Sequence, residues 1–267
     1  MRVAARHPDP EFTRSGAIEF SRTDVRDDSD VAGALAGASA AVNAVSLYIE
    51  QRDADFETIH VDAARRIARI SEENGIARLV HISGIGVDTA SPSAYVRARA
   101  RGEDAVTEGF PGVAILRPSA IVSARGGMLE ALEGITRLPV VPLFDDGSVL
   151  LQPVDVADVA QAVREALQRE KQGIFELGGA EVLSYRQLLQ AVMASADRRR
   201  PMLAIPMRVW RGIARVLSVL PSPPLTRDQL VLLSRDKVVA PDARGFEDLG
   251  LVPRGVRSVL RERAGQN

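Results

Sequence analysis

Tyr95 and Arg99 stand four residues apart in the stretch Ser91-Pro92-Ser93-Ala94-Tyr95-Val96-Arg97-Ala98-Arg99, and Ser83 precedes them across a short polar loop. A phenol, a fixed cation and a hydroxyl are the parts of a proton-transfer site working on a carbonyl or a carbinol. The phenol would act as acid or base while the hydroxyl shares the substrate oxygen. On a helix the four-residue spacing puts Tyr95 and Arg99 on one face, one turn apart. A cation so placed favours the phenolate, which predicts an acidified phenol. Tyr and Arg at this spacing also occur on ordinary exposed helices, so the elements around them have to carry the rest of the argument.

Those elements are readable. The apolar run Leu79 to Ile82 ends in Ser83-Gly84-Ile85-Gly86, a strand entering a loop, and Ser91 with Pro92 predicts a helix N-cap and first helical position. That helix extends to Glu108 and stops at Gly109. Further strands are expected at Arg2–Ala5, Ala17–Phe20, Ala40–Val45, Val113–Leu116 and from Gly173 to Gly179. Between them, helices are expected from Ser29 or Asp30 through Leu35, from Asp53 to Asn74-Gly75, and from an Asp155 N-cap through Leu167. Alternating strands and helices predict an α/β protein with a doubly wound parallel sheet. Ser184 caps a further helix to about Ser195.

Composition excludes several chemistries. The net charge of -1 leaves no global field for nucleic acid. Cysteine is absent, which removes disulfides, thiolate metal sites and cysteine nucleophiles. The three histidines, His7, His60 and His81, are scattered, no metal site is expected, and His81 reads as a packed strand residue. No apolar run is long enough for a transmembrane helix and no secretory core follows Met1, so the expected compartment is the cytoplasm. Residues 119–151 hold no convergent set of His, Asp or Glu that would name a substrate. Arg198-Arg199-Arg200 reads as a solvated loop. From Pro206 to Leu220 a basic amphipathic helix is expected, with Arg208, Arg211 and Arg215 on one side. Val209, Trp210, Ile213, Val216, Leu217 and Leu220 form the other side, expected to pack on its own domain rather than on a partner or membrane.

Ser, Tyr and a basic residue in this order after a parallel strand resemble the short-chain dehydrogenase/reductase superfamily, whose Tyr-x-x-x-Lys pattern has lysine where this chain has Arg99. The likeness continues at Asp24-Val25, Asn43-Ala44-Val45, Arg117-Pro118-Ser119 and Gln152-Pro153-Val154-Asp155-Val156-Ala157. Segments 223–230 and 236–239, together with Phe175-Glu176-Leu177-Gly178-Gly179, resemble the bacterial relatives of the nucleotide-binding accessory subunit of respiratory complex I. The resemblance implies a Rossmann-like domain over residues 1–180 holding NADP or NAD, and a small, mainly helical lobe over residues 181–267. It implies Asp24 and Val25 at the adenine, Asn43, Ala44 and Val45 over the adenosine ribose, and Pro118 beside the nicotinamide. Arg6 would meet an NADP 2′-phosphate. Tyr95 would be the acid/base, Ser83 the carbonyl polariser, and Arg99 the cation that lowers the phenol pKa and binds ribose. Arginine keeps the charge but, with its planar fork and very high pKa, is a poor proton relay.

A Gly-x-x-Gly-x-x-Gly loop normally opens such a fold and brings the pyrophosphate to a helix N-terminus, and the chain has no such loop before its first strand. In the strand order 3-2-1-4-5-6, the central strand between those at Val3 and Ala40 is therefore expected to be missing. A strand-loop-helix unit of about 30 residues is expected upstream of this reading frame. One functional expectation is an accessory or assembly protein on the complex I peripheral arm, cytoplasmic or peripheral at the inner face of the plasma membrane. It would hold NADP(H) with little or no turnover. The alternative is an NAD(P)-dependent oxidoreductase, epimerase or dehydratase acting on a nucleotide-sugar or small carbonyl. A third is a remnant domain that has lost nucleotide binding.

Overall fold

The structure, a computed structural model, describes residues 1–7, 18–217, 220 and 225–265. Strand β1 (Arg2–Ala5) pairs in parallel with β2 (Glu19–Arg22), Arg2 opposite Glu19 and Ala5 opposite Arg22. The expected start of the second strand, Ala17, lies outside the described residues, and the strand is shifted toward Arg22. Helix α1 (Asp28–Leu35) is capped by Asp27 rather than by Ser29 or Asp30. Asp27 has the extended backbone of a cap and its carboxylate accepts the Asp30 N–H, whereas the Asp30 carboxylate turns back to the Asp24 N–H.

Strand β3 (Ala40–Asn43) is followed by a π-helical turn, Thr58–Asp62, that runs into α2 (Ala63–Glu73). Gly75, at φ +64°, takes the left-handed conformation that ends α2 where the sequence places the stop. Strand β4 (Arg78–Ile82), α3 (Ala94–Gly109) and β5 (Ala114–Pro118) come next. Helix α3 begins later than expected. Its N-cap is Ser93, whose Oγ accepts the Val96 N–H at 3.3 Å, while Ser91 Oγ takes the Ser93 N–H and leaves Pro92 ahead of the helix. After β6 (Ile121–Val122), α4 (Gly127–Thr136), β7 (Val141–Phe144), β8 (Leu150–Leu151) and β9 (Val154–Asp155), Asp155 caps α5 (Val156–Gln168), which leads to β10 (Gly173–Leu177).

The main sheet is parallel throughout, in the order β10-β5-β4-β3. Successive residues of its strands point to opposite faces. Leu79 and Ile115 join Ile67, Ala68, Val106 and Phe110 beneath α2 and α3, while Val80, Leu116 and Phe175 join Val159 and Ala162 beneath α5. Helices on both faces make the sheet doubly wound. Strands β1 and β2 form a separate ladder, and between β1 and β3 lies a cleft of about 1280 Å³ walled by both strands. This is the place where the strand order expects its central member.

After β10 come β11 (Leu183–Ser184), α6 (Tyr185–Ser195), β12 (Met202–Ile205), α7 (Met207–Leu217), α8 (Arg227–Leu233) and α9 (Val256–Ala264). Ser184 and Gln187 close a capping box at α6. Leu188 and Leu189 of α6 and Val256 and Leu260 of α9 share a core with Leu129 and Leu132 of α4 and Val141 and Leu143 of β7, and β12 pairs in parallel with β7. Two expectations change here. Arg198 is not a solvated loop residue, because its guanidinium bonds Thr136 Oγ1 at 3.1 Å; Arg199 and Arg200 remain exposed. The apolar side of α7 does not pack as a whole: Ala214 is buried and Trp210 and Leu217 half-buried, whereas Val209, Ile213 and Val216 face outward.

Candidate functional site

Six residues expected at the adenosine end, Arg6, Asp24, Val25, Asn43, Ala44 and Val45, line the cleft between β1 and β3. Asn43 ends its strand with the side chain buried. Its Nδ2 lies 3.1 Å from His81 Nδ1, and its Oδ1 accepts the Val45 N–H, which shapes the Ala44-Val45 turn. The Asp24 carboxylate is gripped by Arg26, with Nε at 2.9 Å and Nη2 at 2.6 Å, and this hydrogen-bonded cation holds it down at about 2. Arg6 pairs with Asp53 at 3.2 Å, and Arg26 reaches the same aspartate. Both charged residues therefore already have partners at the mouth of the cleft.

Ser83, Tyr95, Arg99 and Pro118 are not on the wall of that cleft. Tyr95 is 7% exposed and sits in an aromatic box. Tyr48 stacks on it at 5.7 Å, and Phe56 and His60 meet it edge-on at 5.5 and 5.3 Å. Arg99, also 7% exposed, lies 5.7 Å from the Tyr95 ring centroid. Its Nη1 donates to Ser46 Oγ at 3.1 Å and its Nη2 to the Ile82 carbonyl at 3.0 Å. The expected acidified phenol is overturned: burial pushes the Tyr95 hydroxyl above its usual range and outweighs the pull of Arg99.

The shared wall is the segment after β3. Ser46 and Leu47 line the cleft on one side, and on the other Ser46 receives Arg99 while the Leu47 carbonyl meets His60 Nε2 at 2.9 Å. His81 is buried, as its strand position predicts, and burial with the nearby Arg99 charge pushes it down to about 3. His60 is pushed down to about 4 by burial, only partly offset by its bond to Leu47. Both imidazoles are neutral at physiological pH. His60 could not be singled out from the sequence, because nothing local distinguishes it from a surface residue of an amphipathic helix.

Ser83 opens the loop after β4, with its N–H donating to the Leu116 carbonyl at 2.7 Å. Ile85 N–H donates to the Pro118 carbonyl at 3.1 Å, so this loop and the β5 terminus form one unit. Among the described residues, Ser83 Oγ and Arg99 Nε are buried without a hydrogen-bond partner. Ser71 Oγ, Arg78 Nε and the Tyr185 hydroxyl share that state, so it is not confined to this loop.

Residues of α8 and of the segment after it meet this loop and the start of α3. Asp228 of α8 accepts from Ser93 Oγ and from the Tyr95 N–H, and Leu232 packs against the Tyr95 cluster. Lys237 Nζ donates to the Ile85 carbonyl at 3.3 Å, and Ser119 Oγ bonds the Lys237 carbonyl at 2.6 Å. Neither Asp228 nor Lys237 stood out in the sequence as a site residue, because their segment carries no local signal of what it covers. Asn43, Ala44 and Val45 would hold the adenosine half of an NAD(P) in the cleft, whereas Ser83 and Arg99 do not line it. The group would supply hydride chemistry when bound.

The chain is similar to several known proteins. The chain is 29% identical over 257 residues to the mitochondrial NADH dehydrogenase [ubiquinone] 1 alpha subcomplex subunit 9 of Arabidopsis thaliana, covering 91% of this chain and 64% of that protein. It is 25% identical over 245 residues to the NADH-ubiquinone oxidoreductase 40 kDa subunit of Neurospora crassa, covering 90% and 64%. The chain thus spans somewhat under two thirds of the length of these relatives. Its fold is like that of a UDP-glucose 4-epimerase from Thermus thermophilus solved with NAD, at TM-score 0.71 and 19% identity over 99% of this chain and 89% of that one. It is also like a dTDP-4-dehydrorhamnose reductase from Bacillus anthracis solved with NADP, at TM-score 0.69 and 14% identity over 100% and 99%. Residues 1–170 match the NAD(P)H-binding family, and the chain belongs to that family.

Proposed function

We infer that the protein is an NAD(P)-binding accessory or assembly factor of respiratory complex I, holding the nucleotide for architecture with little or no turnover. The observation that carries this reading is the state of the Tyr95–Arg99 pair. Both side chains are 7% exposed, two guanidinium nitrogens are engaged by Ser46 and Ile82, and Asp228 holds the start of the helix. A phenol raised by burial serves as a hydrogen-bond donor and is poorly suited to act as a base at neutral pH. Residues 1–180 would carry the nucleotide and residues 181–267 the contacts with the peripheral arm, on the cytoplasmic side of the membrane. Arg6 would favour NADP by exchanging Asp53 for the 2′-phosphate.

Co-purification of the protein with complex I subunits tests this. Association and NADPH retention that survive Tyr95→Phe are expected; failure of the wild-type protein to co-purify with complex I subunits would overturn the reading.

A second reading is a reductase, epimerase or dehydratase of nucleotide-sugars or small carbonyls, favoured by the unpartnered Ser83 Oγ beside the Pro118 turn. Carbonyl reduction abolished by Tyr95→Phe and preserved by Arg99→Lys would support it.

A further inference from the structure

We propose that α7 is a docking surface for an anionic lipid membrane. Three stripes run along this helix. Trp210, Ala214 and Leu217 turn inward, with Trp210 Nε1 donating to the Leu143 carbonyl at 2.9 Å and its ring 4.7 Å from Phe144. Val209, Ile213 and Val216, at the next i, i+4, i+7 spacing, are 45%, 37% and 71% exposed. Leu220 beyond the helix is 46% exposed, and Leu203, in the strand just before it, 54%. Arg208 and Arg211 lie on the third, exposed stripe.

Charge selects the occupant. From Arg199 to Arg227 the chain has six arginines and no acidic residue, although its net charge is -1. A segment that is both strongly basic and lined with exposed aliphatic side chains matches a surface of phosphate headgroups over hydrocarbon. The aliphatic stripe enters the acyl boundary and the guanidiniums take the phosphates. The stripe offers no Asn, Gln, Ser or Tyr for directional contacts with a protein groove. No described helix is long and apolar enough to cross a membrane, so the contact is peripheral. This surface would place the protein beside a membrane-bound complex, but the inference rests on none of the cofactor-site geometry.

Sedimentation of the full chain with vesicles tests it, using phosphatidylcholine alone and phosphatidylcholine mixed with phosphatidylglycerol, without nucleotide or complex subunits. Binding only to the phosphatidylglycerol vesicles, weakened by salt, is expected. Arg208→Gln and Arg211→Gln should each weaken it about fivefold. Val216→Asp, at a site too exposed to disturb folding, should abolish it with the thermal unfolding curve unchanged. Equal binding to both vesicle types, or none, overturns the proposal. So does a dimer in analytical ultracentrifugation that Val216→Asp dissociates while vesicle binding persists, which would assign the stripe to a second copy. Failure here leaves co-purification with complex I subunits as a separate result.

Discussion

Arg99 Nη1 meets Ser46 Oγ at 3.1 Å, and Ser46 is also part of the wall of the cleft between β1 and β3. The buried cation thus touches the cleft through one residue. The same guanidinium holds the Ile82 carbonyl at the end of β4, one residue before Ser83. The cation thus bridges the segment after β3 and the end of β4.

Replacing Arg99 by alanine leaves the Ile82 carbonyl and Ser46 Oγ without their partner in a buried setting. A loss of about 3 kcal/mol of unfolding free energy is expected, measured by urea denaturation. Arg99→Lys, which can reach only one of the two acceptors well, should lose about half as much. Equal stability of wild type and Arg99→Ala would show that these bonds contribute nothing.

The two buried histidines predict an acid-sensitive fold. Their folded-state values lie at about 4 for His60 and about 3 for His81, below the unfolded value of 6.5. The unfolded chain therefore binds more protons as pH falls below 6.5, and stability declines through that range until the folded values are reached. At pH 5 each histidine should cost about 2 kcal/mol relative to neutral pH. Asp24, lowered to about 2 from 3.8, contributes its loss only in a more acidic window. His60→Gln should flatten the denaturation profile between pH 6.5 and pH 4; an unchanged slope would show that His60 is not buried neutral.

Gly102 lets α3 approach the π-helical turn. A Cβ there would stand 2.1 Å from the His60 carbonyl oxygen, a backbone atom with little freedom to give way. Gly102→Ala should therefore lower stability by about 2 kcal/mol or more and disturb the aromatic box around Tyr95, seen in its near-ultraviolet circular dichroism. Gly33 has open space at its Cβ and should tolerate alanine.

Asp228 ties α8 to the start of α3. Asp228→Ala removes a charge-assisted bond to Ser93 and the contact with the Tyr95 N–H, for an expected cost of about 2 kcal/mol. Hydrogen exchange should speed up in α8 and the first turn of α3 and stay unchanged in β4. Protection of α8 unaltered by the substitution would mean that Leu232 and its neighbours hold the lobe alone.

Local pattern determined a great deal. The parallel strands, the left-handed stop at Gly75 and the caps at Asp155 and Ser184 depend on residues within a few positions of each other, whereas the caps expected at Ser29 or Asp30 and at Ser91 moved to Asp27 and Ser93. The break in the sheet was legible too: the strand order expects a gap between β1 and β3, which lie in separate ladders and both line the cleft. The state of the site was decided elsewhere. Tyr95 and Arg99 read as an acidified pair on a helix surface, yet Tyr48, Phe56 and His60, supplied by chain far from α3, take the phenol out of water. Desolvation depends on everything that packs around a group, whereas spacing reports only its nearest neighbours in the chain. The same reason explains α7. Amphipathic periodicity determined that the helix has an apolar side, and only the tertiary packing of Trp210 against Leu143 and Phe144 decided which part of that side is covered and which is left facing out.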